Sequence, residues 1–323
     1  MGGGGYTLNR VFLKLFSAFF LWVFISTISP CILKSYFPGL LITSLPDNDG
    51  YLHSSSLYQL NAETVISNDL VNSDIVLVTA HPDDESMFFS PTIMELNKKN
   101  YGNQIHLVCL SNGNFDGLGE VRRHEVDKAS QYLDISSVVV LRFEDNISKE
   151  WDPVEISQRL NGELPKMHFS SKRLIFLTFD EDGVSGHPNH QSLFYGVKRF
   201  VDSKDRVFMR MDIRFFKLST WPIYKKYSGF FWVNFELLRK TIRELGVFDK
   251  IRFLCNEFFA NVSPLKSATV TKAPVMIYNN FNTWIVSLST MTYAHYSQIV
   301  WFRWFWIFLS KYMNSNELVE VLP

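Results

Sequence analysis

Two apolar patterns alternate along the middle of this chain. Short aliphatic and β-branched runs, such as Ile75-Val76-Leu77-Val78 and Leu174-Ile175-Phe176-Leu177, read as buried strands. Between them lie longer, more polar stretches with apolar residues at helical spacing. The pattern predicts strand 74–80, helix 86–99, strand 105–111, a glycine-rich loop, helix 119–133, strand 138–143, helix 153–161, strand 173–179, helix 188–201 and strand 207–218. Strands alternating with helices argue for an α/β fold: a Rossmann-like, mostly parallel sheet with helices on both faces.

The ends of the chain follow other patterns. After a disordered N-terminus at 1–14, residues 15–33 carry no charge between Lys14 and Lys34, and about 19 apolar residues just span a bilayer as a helix. A transmembrane anchor is therefore expected there, a cleaved signal peptide or a buried helix being the alternatives. Residues 34–73, with Pro38, Gly39, Pro46, Gly50 and a serine run at 54–56, read as a linker. The α/β core follows at 74–220, then a helical, membrane-proximal extension at 221–323 that completes it. In that extension Leu237, Leu238, Ile242 and Leu245 recur at helical spacing, and 284–312 is a second apolar stretch crowded with Trp301, Trp304 and Trp306. His295 and Arg303 argue against a full span there. A helix in the headgroup plane and a helix packed on the core are equally open.

Composition narrows the function classes. The 323 residues have a net charge of +0, so nothing indicates a nucleic-acid footprint. Aromatic residues make up 15%, much of it near the termini, which fits a lipid interface. Cys31, Cys109 and Cys255 are far apart and lack metal spacing, so no disulfide framework is indicated.

The chemistry gathers at two strand ends. Strand 74–80 runs into Ala80-His81-Pro82-Asp83-Asp84-Glu85, and strand 173–179 into Asp180-Glu181-Asp182-Gly183-Val184-Ser185-Gly186-His187-Pro188-Asn189-His190. Open α/β sheets bind ligands at the carboxyl ends of their strands. Two such ends delivering imidazoles and carboxylates are what a mononuclear metal site needs. Glu85 also reads as an acid complementing a helix dipole. The isolated histidines His53, His106, His124 and His168 receive no role.

These motifs resemble the zinc-dependent N-acetylglucosaminyl de-N-acetylase superfamily. Similarity to its eukaryotic membrane branch extends through Met87-Phe88-Phe89-Ser90-Pro91, the segment 110–120 with Arg122 and Glu125, and Ala294-His295, Ser297-Gln298 and Val300-Trp301-Phe302-Arg303. The resemblance implies Zn²⁺ on His81, Asp84 and His190, although other divalent metals suit such ligands. It implies Asp83 as the base acting on water, and His187 as oxyanion stabiliser or acid for the leaving amine; Asp182 is expected to orient His187, as a neighbouring carboxylate commonly does. Substrate contacts are expected from Asn114 and Arg122, the alternative for the latter being an intrahelical pair with Glu125. His295 and Arg303 are expected at an inositol phosphate.

The implied substrate is a GPI-precursor glycolipid, N-acetylglucosaminyl-phosphatidylinositol, deacetylated in the second step of GPI-anchor synthesis. A soluble sugar conjugate and a catalytically idle membrane scaffold are the rivals. The resemblance also implies a single-pass protein of the endoplasmic reticulum membrane with its catalytic domain facing the cytosol. Arg10 and Lys14 before the span, against Lys34 after it, lean the other way.

Overall fold

In the computed structural model, the described residues are 4–27, 66, 68–203, 208, 210–229, 231–233, 235–236, 274–279 and 281–322. The chain divides into two units, the larger comprising Thr64–Gly229, Val270–Tyr278 and Thr283–Pro323. The smaller holds helix α1 (Gly4–Thr27). The expected span at 15–33 coincides with α1 only as far as Thr27, residues 28–33 lying outside the described set. Among the described residues, no helix is long and apolar enough to cross a membrane. The expected amphipathic helix around 237–245, and the expected linker apart from its last few residues, also lie outside that set.

The larger unit is built on β1 (Asp74–Thr79), whose six side chains are all buried. Each large aliphatic side chain so removed from water contributes roughly 1.5–3 kcal/mol. Burial at every position requires cover on both faces, which is why residues 75–78 are all apolar rather than alternating, while the buried Asp74 at the strand's start bonds to His106 and to Ser171 N. Two short helices follow, α2 (Asp84–Met87) and α3 (Ser90–Leu96), where the sequence predicts one helix over 86–99. Pro91 sits in the first turn of α3, where its missing N–H is harmless; deeper in a longer helix it would break the ladder.

The chain continues through β2 (Gln104–Cys109), α4 (Gly119–Tyr132), β3 (Ser137–Val140), α5 (Pro153–Glu163), β4 (Arg173–Phe179), the single turn α6 (Gly183–Gly186), α7 (Pro188–Asp202), β5 (Asp212–Leu218) and α8 (Ile223–Lys226). Helix α7 buries Leu193, Phe194, Val197 and Phe200 at helical spacing and packs against β1, β4, β5 and α5. Gly196 permits the α5 contact, since a Cβ there would lie 2.5 Å from Ile156.

The C-terminal region is not helical throughout. After β6 (Val275–Tyr278) come α9 (Phe281–Ser289), a π-helical turn Thr290–Ala294, a 3₁₀ turn Tyr296–Gln298, α10 (Trp301–Leu309) and β7 (Ser315–Glu320). The seven strands order as β3-β2-β1-β4-β5-β7-β6, parallel from β3 to β5, with β7 antiparallel to both β5 and β6. The apolar-run criterion misses β7 because its sequence is Ser-Asn-Glu-Leu-Val-Glu. Buried Asn316 holds that strand in place, accepting from the Thr92 amide and donating to Phe88 O. Helix α10 faces two ways: Arg303, Trp306 and Ile307 turn inward, while Trp301, Phe302, Trp304, Phe305 and Phe308 are exposed.

Strands β1 and β4 are neighbours, yet β1 connects to β2 on its other side. Their carboxyl ends therefore flank the point where strand order reverses, the place a sheet of this kind leaves a crevice.

Candidate metal centre

The loop leaving β1 and the first turn of α7 bring His81, Asp84 and His190 together, with one ligand atom from each lying within 4.8 Å of the others. Asp84 is fixed first: its Oδ2 accepts the backbone N–H groups of Ala80 and His81, each at 2.9 Å. His190 Nε2 lies 3.3 Å from Asp84 Oδ1 and 3.3 Å from His81 Nδ1. The outward nitrogens are engaged elsewhere. His190 Nδ1 contacts Gly183 O at 3.2 Å, and His81 Nε2 contacts Asn189 Oδ1 at 3.1 Å and Asp145 Oδ1 at 3.3 Å.

Those outer partners are all acceptors, so they place the ring protons on the outward nitrogens. The two nitrogens facing each other then both carry lone pairs beside a carboxylate, an arrangement that a cation satisfies and a proton-poor gap does not. Histidine ligands held from behind by a carbonyl or carboxylate are the usual outer layer of a metal site. The donor set thus fits zinc or another divalent ion.

The electrostatics agree. Burial pushes the His81 imidazole down, reinforced by His190 and opposed by Asp84 and Asp145. Burial opposes ionisation of Asp84, but the charge and hydrogen bond of His190, together with His81, hold its carboxyl well below the usual carboxylate range. A deprotonated carboxylate and a neutral imidazole are the metal-competent forms.

Asp83 faces a different environment. It is buried, and its Oδ2 accepts from Arg303 Nη2 at 2.8 Å. Burial pushes its carboxyl up to about 6 against the pull of Arg303, with Asp84 adding to the rise. Its φ of 114° is left-handed, as is the 64° of Val184 in the opposing loop. Each such residue costs on the order of 1–3 kcal/mol, strain that concentrates at functional sites. Gly183, at φ +57°, is required beside Val184: a Cβ would lie 2.8 Å from that of His190.

His187 caps α7, its Nδ1 accepting from Asn189 N at 3.3 Å, and its ring centre lies 4.9 Å from those of both His81 and His190. Burial and its two histidine neighbours push it down to about 4, against the pull of Asp84. With Nδ1 accepting, the ring proton resides on Nε2.

Comparison with known proteins accords with this geometry. A family model described as GlcNAc-PI de-N-acetylase matches residues 76–201. A probable N-acetylglucosaminyl-phosphatidylinositol de-N-acetylase of Schizosaccharomyces pombe is 34% identical over 254 residues, covering 77% of this chain and 87% of that protein. The chain belongs to the N-acetylglucosaminyl-phosphatidylinositol de-N-acetylase family. The Saccharomyces cerevisiae protein of that name is 32% identical over 260 residues, covering 76% of this chain and 80% of its own. A solved N,N'-diacetylchitobiose deacetylase from Pyrococcus horikoshii superposes with a TM-score of 0.45 at 14% identity, over 77% of this chain and 83% of that one.

In this de-N-acetylase family member, some expected site residues stand elsewhere. Asp182 is exposed and makes no hydrogen bond to His187, because it begins the turn α6 and points to solvent. The organising carboxylate is Asp180, which accepts from Gly183 N at 3.0 Å and from Thr220 N and Oγ1, each at 2.5 Å. His295 is wholly buried and bonded to Glu85, so it is not a surface contact for an inositol phosphate. Glu85 does lie in the first turn of α2, as a helix-start acid would, but it is buried there and bonded to His295.

Arg122 reaches the site through Asp145, at 3.8 Å, and also pairs with Asp116. It forms no intrahelical pair with Glu125, which instead accepts from Ser297 N and Oγ. Asn114 lies on the exposed glycine-rich loop, its Oδ1 accepting from Gly119 N. Sequence reasoning missed Asp145 and Asn189. Asp145 follows the end of β3, so position at a strand end was the available signal; Asn189 lies between two site histidines.

Proposed function

We propose that this chain hydrolyses the acetamide of N-acetylglucosaminyl-phosphatidylinositol, releasing acetate and glucosaminyl-phosphatidylinositol, with Zn²⁺ held by His81, Asp84 and His190. The observation that carries the reading is the pair of converging ring nitrogens, 3.3 Å apart beside Asp84, with the separate carboxylate of Asp83 next to them in the chain. Zinc in such a site acidifies water and polarises a carbonyl.

The side chains do the rest. Asp83, which is not among the ligands, takes a proton from the attacking water as its oxygen bonds to the acetyl carbon. Arg303 keeps that carboxylate oriented and favours its ionised form. His187, neutral and carrying its proton on Nε2, donates to the oxyanion. When the C–N bond breaks, Asp83 returns its proton to the departing amine. Arg122 and Asn114 lie on the side of the glycine-rich loop, where a sugar or phosphate would be met.

The membrane reading belongs to the same proposal. The apolar stretch at 15–33, the exposed aromatics of α10 and a glycolipid substrate support a protein of the endoplasmic reticulum membrane, with a cytosolic catalytic unit acting at the second step of GPI-anchor synthesis. The test is acetate release from radiolabelled N-acetylglucosaminyl-phosphatidylinositol by detergent-solubilised full-length protein, before chelation, after it, and after zinc is restored. Activity lost and regained with metal is expected. Wild-type protein that binds zinc yet releases no acetate would exclude this substrate.

A further inference from the structure

Four residues singled out near the C-terminus converge on one loop and its neighbour. His295 Nε2 meets Glu85 Oε1 at 2.5 Å, Gln298 Nε2 donates to Pro82 O at 2.9 Å, and Arg303 reaches Asp83. Ser297 reaches Glu125 on α4, which ties the same segment down from the other side. Glu85 completes the link, since its Oε2 accepts the backbone N–H of Asp83 at 3.2 Å and its Oε1 accepts Ser86 Oγ at 2.7 Å.

These contacts bear on a strained residue. Asp83 has φ 114°, a conformation an aspartate leaves unless its surroundings hold it. The bonds from Glu85 to its amide, Gln298 to the preceding carbonyl and Arg303 to its side chain grip it on three sides. Among the described residues, His295 makes no hydrogen bond to His81, Asp84 or His190, and its buried Nδ1 has no hydrogen-bond partner. A half-satisfied buried histidine destabilises a fold, so its presence is better explained by the one bond it makes than by packing.

We infer that His295, acting through Glu85, and Gln298, acting through Pro82, are positioning residues that hold the Asp83 carboxylate in its working geometry. The segment 295–298 is thereby part of the catalytic apparatus rather than a contact for the substrate phosphate. The inference rests on the reading of Asp83 as the base.

The experiment uses the full-length protein in detergent, with His295→Ala, His295→Gln and Gln298→Ala. Steady-state acetate release is measured beside zinc content, thermal unfolding and amide hydrogen exchange over residues 81–88. A glutamine retains one donor for Glu85 and leaves no second ring nitrogen to satisfy. His295→Ala is expected to lower kcat by about 10–100-fold, the usual loss for a supporting partner, with KM and zinc content unchanged. Exchange over 81–88 should quicken, and His295→Gln should restore both exchange and kcat. Gln298→Ala should change kcat and exchange in the same sense, by less.

A rise in KM with kcat preserved would overturn the inference in favour of a substrate contact. Loss of zinc or a collapsed thermal midpoint in both His295 variants, with Gln298→Ala unaltered, would reduce the pair to a packing role. Wild-type protein that releases no acetate would defeat the substrate reading, while exchange over 81–88 would still decide whether the grip exists.

Discussion

Arg303 Nη2 lies 2.8 Å from Asp83 Oδ2, a contact between residues 220 positions apart in sequence. It joins helix α10, whose other face carries exposed aromatics, to a buried carboxylate outside the His81–Asp84–His190 set. Burial raises the Asp83 pKa and the guanidinium lowers it, and the balance lies at about 6. Asp83 works as a base only when ionised, so activity should rise as pH increases through an acidic limb. Removing a positive neighbour raises a carboxyl pKa. Arg303→Gln should therefore move that limb to higher pH, whereas Arg303→Lys, which keeps the charge, should move it less. A pH–rate profile of kcat decides; a limb that stays put or moves to lower pH would sink the assignment.

The ligand set and the base should separate cleanly. His190→Ala and Asp84→Ala remove metal donors, so both zinc content and acetate release should fall. Asp83→Asn leaves the donors intact and should retain zinc while losing about 10²–10⁴ in rate, the range of a general base. Metal analysis on the same preparations as the assay is the check. Zinc lost from Asp83→Asn would make Asp83 a ligand instead.

His187 distinguishes two chemistries. Its pKa, pushed down to about 4, leaves it neutral across the working range, and its Nδ1 is engaged with Asn189 N. In the proposed mechanism it would then donate a hydrogen bond to an oxyanion rather than titrate as an acid. His187→Ala should cost about 10²–10³ in kcat, as loss of one such donor does, with the shape of the pH profile above neutrality unchanged. A basic limb present in the wild type and absent from His187→Ala would instead identify it as the acid for the leaving amine.

What sequence alone revealed follows from range. His81, Asp83 and Asp84 are adjacent in the chain and follow a β-branched run, while His187 and His190 share one helical turn. Local spacing therefore placed them correctly at two strand ends. The parallel β1–β5 core was legible for the same reason, since buried parallel strands are written as apolar runs. Strand β7 was not, because its hold on the fold includes buried Asn316 bonded to residues 224 and 228 positions away. Glu85 read as an ordinary helix-start acid until His295, 210 positions on, was seen against it. Partners that meet only through the fold leave no local trace.

The swap of Asp182 for Asp180 gives the sharpest local test. Both precede Gly183, and both are acidic, so the sequence offered no means of choosing. In the fold Asp182 is exposed and, among the described residues, makes no hydrogen bond through its side chain. Asp180 is buried and receives three hydrogen bonds, from Gly183 and twice from Thr220, while Thr220 Oγ1 is contacted by Val184 N at 2.8 Å. That network holds the left-handed pair Gly183–Val184, and Gly183 O is what orients His190. Asp180→Ala strands the Thr220 N–H and O–H, Gly183 N keeping its bond to Asp180 O, and should destabilise the protein by about 2–6 kcal/mol at about 1–3 kcal/mol per stranded group. Zinc retention should fall with it. Asp182→Ala should change neither the thermal midpoint nor the zinc content. Thermal unfolding and metal analysis of the two variants side by side would settle which carboxylate builds the loop; equal effects, or a larger one at Asp182, would mean that solvent-facing charge rather than buried hydrogen bonding shapes this edge of the site.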